Sequence, residues 1–177
     1  MNLLLGKDRT YAFSKRTYFR ETRMNNVNVA DLMMTKFVQV RDKDPLWEVV
    51  LKIAEDRETM LACIVDEANK LKGIITPKRL LTAVQISQFR TTRYPSLEWG
   101  EVLSSLTSKY PEDIMGPPIA VEPEQSIEYA INIMLAKGLY ELPVVDKGGR
   151  VVGEINFFQI IVNWAERLRA EFDTTND

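Results

Sequence analysis

The sequence contains no histidine and only one cysteine, Cys63. Histidine is the commonest general base and the commonest metal ligand, so its absence argues against most nucleophilic and metal-assisted catalysis. A single cysteine excludes a disulfide within the chain and a structural zinc site built from several thiolates. Because Cys63 lies in the apolar run at residues 61–65, we expect a buried, inert thiol. We therefore predict that the protein is not an enzyme and has no metal site.

Long apolar runs are also missing. None approaches the roughly 20 residues that span a bilayer, and residues 3–5 are too few for the core of a signal peptide. A large excess of one charge is missing as well, since the net charge is −2, with 45% hydrophobic and 27% charged residues. These values are typical of an ordinary globular protein. The sequence predicts a cytoplasmic protein with no membrane contact.

The charge that is present is uneven along the chain. Residues 1–27 carry six basic and two acidic side chains, with Tyr11, Phe13, Tyr18 and Phe19 among them. Basic and aromatic residues in alternation are typical of an arm that binds nucleic acid or an anionic surface. A segment that packs on its own domain or on a partner chain has the same composition. We favour the second interpretation, because the stretch is short and mixed, and do not expect nucleic acid as a partner.

Two stretches of the chain, residues 62–76 and 142–156, share one design. Each consists of two apolar runs joined by a polar turn, which is typical of a hairpin with both faces buried. Asp66 and Asp146 fall in the two turns, where a structural role is expected, and Gly148 and Gly149 are expected to supply positive φ in the second turn. Three pairs of residues correspond at a constant offset: Asp66 with Asp146, Gly73 with Gly153, and Thr76 with Asn156. This correspondence indicates an internal repeat.

Helices with one apolar face surround each hairpin. Asp44 is the expected N-cap of a helix that starts at Pro45, and Ser126 is the expected N-cap of its counterpart, which Gly138 ends. Thr76 and Asn156 are expected to cap the helices after the hairpins. Leu80, Leu81 and Val84 are predicted to face inward. Each of the other three helices is predicted to have one apolar face, formed by Leu46, Val49, Val50, Ile53 and Ala54; by Ile127, Ala130, Ile131, Met134 and Leu135; and by Ile161, Trp164, Ala165, Leu168 and Phe172.

Short strands at residues 37–40 and 119–121 complete two β-α-β-β-α repeats. The sequence thus predicts an α/β (α+β) fold in which the two repeats pack sheet to sheet about a pseudo-twofold axis. Such packing leaves two equivalent clefts where a small ligand would bind. The expected divisions are an N-terminal extension (1–27), repeat 1 (28–86), a helical connector (87–110), repeat 2 (111–170) and a C-terminal tail (171–177).

The pattern resembles a tandem pair of cystathionine-β-synthase (CBS) domains, also called a Bateman module. The residues that carry the resemblance are Asp31-Leu-Met and Asp113-Ile-Met at the start of the repeats, the strands at 62–66 and 142–146, and the strand ends that Gly73 and Gly153 begin. The resemblance implies a stand-alone, regulatory, non-catalytic module with no required cofactor. It implies AMP, ADP, ATP or S-adenosylmethionine as the ligand, a homodimer formed through helices of both repeats, and an unidentified regulated protein as a further partner.

The family's ligand motif is a glycine, two apolar residues, Ser or Thr, two variable residues and Asp. The hydroxyl and carboxylate of this motif hold the ribose. In repeat 1, Thr76 keeps the hydroxyl while Arg79 stands in place of the Asp; in repeat 2 the two positions are Asn156 and Gln159. The amide of Gln159 can still hydrogen-bond a sugar. Lys78 and Arg79 are either solvated charges or phosphate contacts beside a helix N-terminus.

The resemblance also implies an apolar slot for the adenine ring. The residues expected to line it are Phe37, Val38, Leu61, Ile119, Ala120, Tyr140 and Leu142. The same residues would form an ordinary core if no ligand bound. A ligand-independent dimerisation or protein-interaction module is therefore the alternative function. Its contact surfaces would be the apolar last helix, the connector and residues 1–27.

Overall fold

A computed structural model describes residue 24 and residues 26–56, 59–89 and 109–174. Most of the predicted N-terminal extension, most of the connector and the last three residues lie outside this part of the chain. Repeat 1 contains α1 (Val29–Leu32), β1 (Val38–Arg41), α2 (Leu46–Glu55), β2 (Ala62–Val65), β3 (Leu71–Ile75) and α3 (Pro77–Phe89). Repeat 2 contains a 3₁₀ turn (Pro111–Asp113), α4 (Ile127–Lys137), β4 (Glu141–Val145), β5 (Val151–Asn156) and α5 (Phe157–Thr174). The predicted mixed fold is confirmed.

The sheets follow from the two hairpins. In repeat 1, β2 pairs antiparallel with β3 and parallel with β1, which gives three strands. In repeat 2, β4 and β5 pair antiparallel. The strand predicted at 119–121 is wrong, since Val121 alone forms a bridge, to Val144. Pro117 and Pro118 precede it without N–H donors, and the Ile119 N–H bonds back to the Pro117 carbonyl at 2.8 Å.

Both hairpin turns are built on an aspartate. The Asp66 Oδ1 accepts hydrogen bonds from the N–H groups of Ala68 and Lys70, at 2.8 and 2.9 Å. In repeat 2, Asp146 Oδ1 accepts from Gly148 and Arg150 at the same two distances. One residue at the same place in each turn has positive φ: Asn69 at 61° and Gly149 at 79°. Positive φ was predicted for Gly148 as well, and this is wrong.

The helix ends confirm some of the predicted caps. Ser126 Oγ accepts from the Tyr129 N–H at 3.2 Å, and Gly138 ends α4 with a left-handed φ of 62°. The prediction of Asp44 as N-cap is wrong, because α2 begins at Leu46 and Pro45 occupies the cap position. The Asp44 carboxylate instead accepts from the Arg41 N–H at 3.0 Å and closes the preceding turn.

The core consists of three apolar clusters. Two are centred on one repeat each and include residues from the start of the other repeat, Val29 in one and Ile114 in the other. The third lies between the repeats, where Leu61 and Cys63 meet Val151. Sheet-to-sheet packing is therefore observed, as predicted. Cys63 is fully buried, and burial raises the pKa of its thiol, so it is the inert cysteine that was expected.

Some predicted inward residues are exposed. On α3, Ala83 and Ile86 are buried, while Leu81 and Val84 face outward. The apolar stripe was placed on the wrong side because α3 carries apolar residues on more than one face, and the contact with repeat 1 selects the stripe that holds Ala83. On α2 and α4, Val50, Ala54 and Leu135 are likewise exposed. Among the described helices, none is both long and apolar enough to cross a membrane.

Candidate functional site

The two repeats exchange backbone hydrogen bonds at equivalent places. The Ile74 N–H donates to the Gly116 carbonyl at 3.2 Å, and the Gly116 N–H donates to the Ile74 carbonyl at 2.8 Å. Met34 and Glu154 form the matching pair, at 2.8 and 2.9 Å. The leading segment of each repeat, residues 34–37 or 116–119, thus begins beside the last strand of the other repeat. This reciprocal pairing demonstrates the predicted pseudo-twofold relation.

Gly73 and Gly153 make this close approach possible. A Cβ atom on Gly73 would lie 2.4 Å from the Gly116 carbonyl oxygen, and one on Gly153 would lie 2.4 Å from the Met34 carbonyl oxygen. Real Cβ atoms do not approach backbone oxygens so closely. The sequence motif begins with glycine in both repeats because the backbone of the opposite repeat occupies that space.

The first candidate site, which we call the α3 cleft, lies where the start of α3 meets the leading segment of repeat 2. Arg79 Nη1 donates to the Ile114 carbonyl at 3.0 Å, and the Arg79 guanidinium lies over Gly116. Thr76 is half-buried at the end of β3, and Lys78 is exposed on the first turn of α3. The structure therefore brings Thr76 and Arg79 to the junction of the two repeats. At the position where the family motif has a carboxylate, this chain therefore has an arginine that hydrogen-bonds the backbone of repeat 2.

The second candidate site, the α5 cleft, lies where the start of α5 meets the leading segment of repeat 1. Asn156 Oδ1 accepts from the N–H groups of Phe158 at 2.9 Å and Gln159 at 3.4 Å. Gln159 Oε1 accepts in return from the Asn156 N–H at 3.1 Å. The Gln159 amide also contacts Met34 Sδ at 3.0 Å. The predicted capping role of Asn156 is confirmed.

Gln159 completes a reciprocal capping box, a role that sequence reasoning missed. The signal was present, because a cap residue followed three positions later by Gln or Glu is the pattern of this motif. Both positions that the resemblance assigned to ribose binding in repeat 2 thus stabilise the start of α5.

The apolar residues predicted to line the clefts fall into two groups. Val38, Leu61 and Leu142 are buried in the apolar clusters. The others keep accessible surface: Phe37, Ile119, Ala120 and Tyr140. Tyr140 is 67% exposed, and its ring meets the Phe157 ring edge-on at 5.8 Å, beside the start of α5. A surface groove elsewhere, at the start of α2, contains none of the residues that were predicted to bind a ligand. It is lined by Pro45, Leu46, Trp47, Val50, Lys109 and Tyr110.

A buried polar cluster between the repeats was not predicted. The Thr59 hydroxyl lies 2.7 Å from Glu154 Oε2 and 3.4 Å from Glu141 Oε2. The Met60 N–H donates to both carboxylate oxygens of Glu141, at 3.1 and 3.0 Å. Burial raises the pKa of Glu141. A signal for this cluster was present in the sequence, because Glu154 lies within a strand that was expected to be buried and Glu141 lies directly beside another. Within the described residues, no group of three or more acidic or cysteine side chains is arranged to hold a metal ion.

The fold and its two symmetry-related junctions between the repeats define a paired α/β repeat module. A family model described as the CBS domain matches residues 29–86 and 112–163, and the chain belongs to the CBS domain family. The resemblance that the sequence predicted is thereby confirmed.

Two curated proteins have sequences similar to part of this chain. An uncharacterised protein of Methanopyrus kandleri is 27% identical over 139 residues, which is 78% of this chain and 63% of that protein. The chloroplastic CBS domain-containing protein CBSX1 of Arabidopsis thaliana is 32% identical over 104 residues, which is 52% of this chain and 44% of that protein. The matches thus span less than two thirds of the length of either relative.

Solved structures share the fold. A CBS domain-containing protein of Thermotoga maritima has a TM-score of 0.67 at 28% identity, with 78% of this chain and 94% of that chain covered. CBSX2 in complex with AMP has a TM-score of 0.67 at 22% identity, with 79% and 97% covered. A CBS domain pair in complex with 5′-methylthioadenosine and S-adenosyl-L-methionine has a TM-score of 0.59 at 21% identity, with 76% and 96% covered. Because the last two proteins are only 22% and 21% identical to this chain, their similarity is evidence for the fold alone.

Proposed function

We propose that the protein is a regulatory, non-catalytic sensor that binds an adenosine-containing ligand in a cleft between its CBS repeats and passes the signal on through a homodimer. The reciprocal pairing of Ile74 with Gly116 and of Met34 with Glu154 carries this proposal. It builds each cleft from both repeats, so a ligand there contacts both and can change how they are held together. An unidentified regulated protein would receive the signal, and a cytoplasmic location stays a prediction from the sequence.

The ligand class is supported by proteins of the same fold. CBSX2 was crystallised with AMP, and another CBS domain pair with 5′-methylthioadenosine and S-adenosyl-L-methionine. All three compounds contain adenosine and differ in the group at its 5′ end. AMP, ADP, ATP and S-adenosylmethionine are therefore the candidate ligands, and no cofactor is required for binding.

The α3 cleft is the better of the two candidate sites for a nucleotide phosphate. Backbone N–H groups at the start of the 13-residue helix α3 favour an anion, and Lys78 places an ammonium group on the same turn. Thr76 retains the hydroxyl of the family motif. In the α5 cleft, by contrast, the Asn156 and Gln159 side chains already hydrogen-bond the backbone of α5.

A thermal-shift titration tests this function directly. AMP, ADP, ATP and S-adenosylmethionine are each added at rising concentration, and a ligand at 100 times its Kd should stabilise the protein by about 2.7 kcal/mol. Lys78→Ala should weaken the binding of a phosphate-bearing ligand roughly tenfold, because one charge-assisted contact is lost. The matched control is Lys137→Ala, at the far end of α4. If no adenosine compound raises the melting temperature, the sensor function is refuted.

The alternative of a ligand-independent dimerisation module is favoured by one observation. α5 exposes several large apolar side chains, among them Ile161, Trp164 and Phe172. Such a surface is typical of a helix that a partner covers. The two functions differ in one outcome, since a dimerisation module forms its dimer without any response to adenosine compounds.

A further inference from the structure

Glu141 belongs to repeat 2, but its carboxyl group holds the backbone of repeat 1. It is 4% exposed at the start of β4, and the Met60 N–H donates to both of its oxygens. Met60 lies directly before Leu61, a residue predicted to line the ligand slot. A single buried carboxyl group therefore ties one repeat to the segment that leads into the central strand of the other.

The groups that face Glu141 come from every neighbouring element. Thr59, from the segment before β2, links it to Glu154 on β5 through one hydroxyl. Asp56, just after α2, repels the charge of Glu141 and is itself paired with Lys36 at 3.3 Å. From β2, the buried thiol of Cys63 interacts electrostatically with both glutamates.

This environment disfavours the ionised form of Glu141. Burial is the main cause that raises its pKa above the ordinary value of 4.5, and Asp56 adds to the effect. Hydrogen bonds from the backbone of Met60 and Leu61 and from Thr59 favour the charge but offset only part of the burial cost. The folded protein therefore holds this proton more tightly than the unfolded chain does.

We propose that Glu141 is a proton-sensitive latch between the two repeats. With its proton, the carboxyl group lies in the dry interface without a charge and keeps residues 59–61 in place. Without the proton, its charge favours hydration, and the interface beside those residues loosens. The latch reaches beyond the proposed function, because it links the position of residues 59–61, which lead into β2, to pH whether or not a ligand is bound.

The sign of the pH dependence follows from the direction of the shift. A carboxyl group with a raised pKa in the folded state contributes stability that is fully present below its unfolded pKa. That contribution is lost as the pH rises through the folded pKa. Within that window, the folding equilibrium of the wild type changes by up to about tenfold per pH unit from this group alone.

The experiment compares melting temperatures between about pH 5 and about pH 8. Glu141→Gln keeps an oxygen to accept the Met60 N–H but cannot ionise, so its melting temperature should rise relative to the wild type as the pH increases. Glu128→Gln, on the exposed face of α4, is the control and should stay parallel to the wild type. If Glu141→Gln also stays parallel, the proposal is overturned.

A second measurement covers the case in which Glu141→Gln does not fold. Carboxyl-carbon NMR of wild-type protein with labelled glutamate should show a resonance that titrates at higher pH than the exposed glutamates and persists in Glu154→Gln. If every glutamate of the wild type titrates in the ordinary range, the latch is excluded. Neither measurement uses a ligand, so the latch and the proposed adenosine sensor can fail independently of each other.

Discussion

Gly73 and Gly153 have the same role in the two repeats, and this role concerns space rather than backbone torsion. Neither has the positive φ that Gly138 and Gly149 show. Instead, each leaves room for a carbonyl oxygen of the opposite repeat. The sequence indicated that these glycines correspond, but the reason for them became visible only when both repeats were placed together.

Replacement of Gly73 by alanine should destabilise the protein by about 1–3 kcal/mol. The new Cβ would lie 2.4 Å from the Gly116 carbonyl oxygen, so the backbone between the repeats would have to move. Urea denaturation measures the loss. Gly148→Ala is the control, because its Cβ would meet only the Asp146 side chain, at 3.1 Å, in an exposed turn. If Gly73→Ala lost no more stability than Gly148→Ala, the two repeats could move apart at this point without a loss of folding free energy.

Individual site residues were predictable where their role is local. Asp66 and Asp146 were expected to build turns, and Asn156 to cap a helix, because such side chains bond to backbone groups a few residues away. The contacts of Glu141 were not predicted, since its partners Thr59 and Met60 lie more than 80 positions away. A charge within an apolar stretch shows that a partner is needed, but not which residue supplies it.

At the scale of elements, β5 runs into α5 without a loop. Asn156 ends the strand and caps the helix, while Gln159 returns a hydrogen bond to the Asn156 N–H. The start of α5 is therefore held at the edge of the cleft by its own side chains. This arrangement explains how the position of α5 is defined in the absence of a ligand.

Asn156→Ala should reduce the free energy of unfolding by about 0.5–2 kcal/mol, the usual cost of a lost N-cap. Chemical denaturation without ligand measures the loss. Asn156→Asp should retain most of the stability, because its carboxylate can accept the same two N–H groups near the positive end of the helix dipole. Unchanged stability in Asn156→Ala would show that the cap contributes little and would return Asn156 to the ligand-binding candidates.

Some element boundaries could be predicted from the residues that cap them, and others could not. Ser126 and Gly138 delimit α4 as expected. α2 starts one residue later than predicted, because the Asp44 side chain closes the preceding turn instead of capping the helix. The strand expected at residues 119–121 is reduced to one bridge at Val121, since the Ile119 N–H bonds back to the Pro117 carbonyl instead of to a neighbouring strand.

At the scale of the whole molecule, the internal repeat was enough to predict two packed sheets and a pseudo-twofold axis. It could not predict that each leading segment pairs with the last strand of the other repeat. Such pairing depends on contacts between residues about 40 and 120 positions apart, which no local periodicity records. The repeats are therefore joined through reciprocal backbone pairs as well as through apolar packing.

The exposed face of α5 is the surface through which we expect two copies of the chain to associate. Trp164 and Phe172 are 48% and 63% exposed, and they are two helical turns apart on the side that was predicted to be apolar. Together with Ile161 they form a row that repeat 2 itself does not cover. A second copy of the chain would bury this row, and burial of large aromatic side chains is a main source of interface stability.

If the proposed homodimer forms through this row, Trp164→Glu should convert it into a monomer, because an ionised carboxylate cannot be buried in an apolar contact without a partner. Analytical ultracentrifugation measures the mass of the wild type and the variant at equal concentration. Glu166→Ala, at another exposed position on α5, is the control and should leave the mass unchanged. If Trp164→Glu keeps the mass of a dimer, α5 does not form the interface. If the variant is monomeric and still binds an adenosine compound, the clefts work within one chain, and the dimer serves only to pass the signal on.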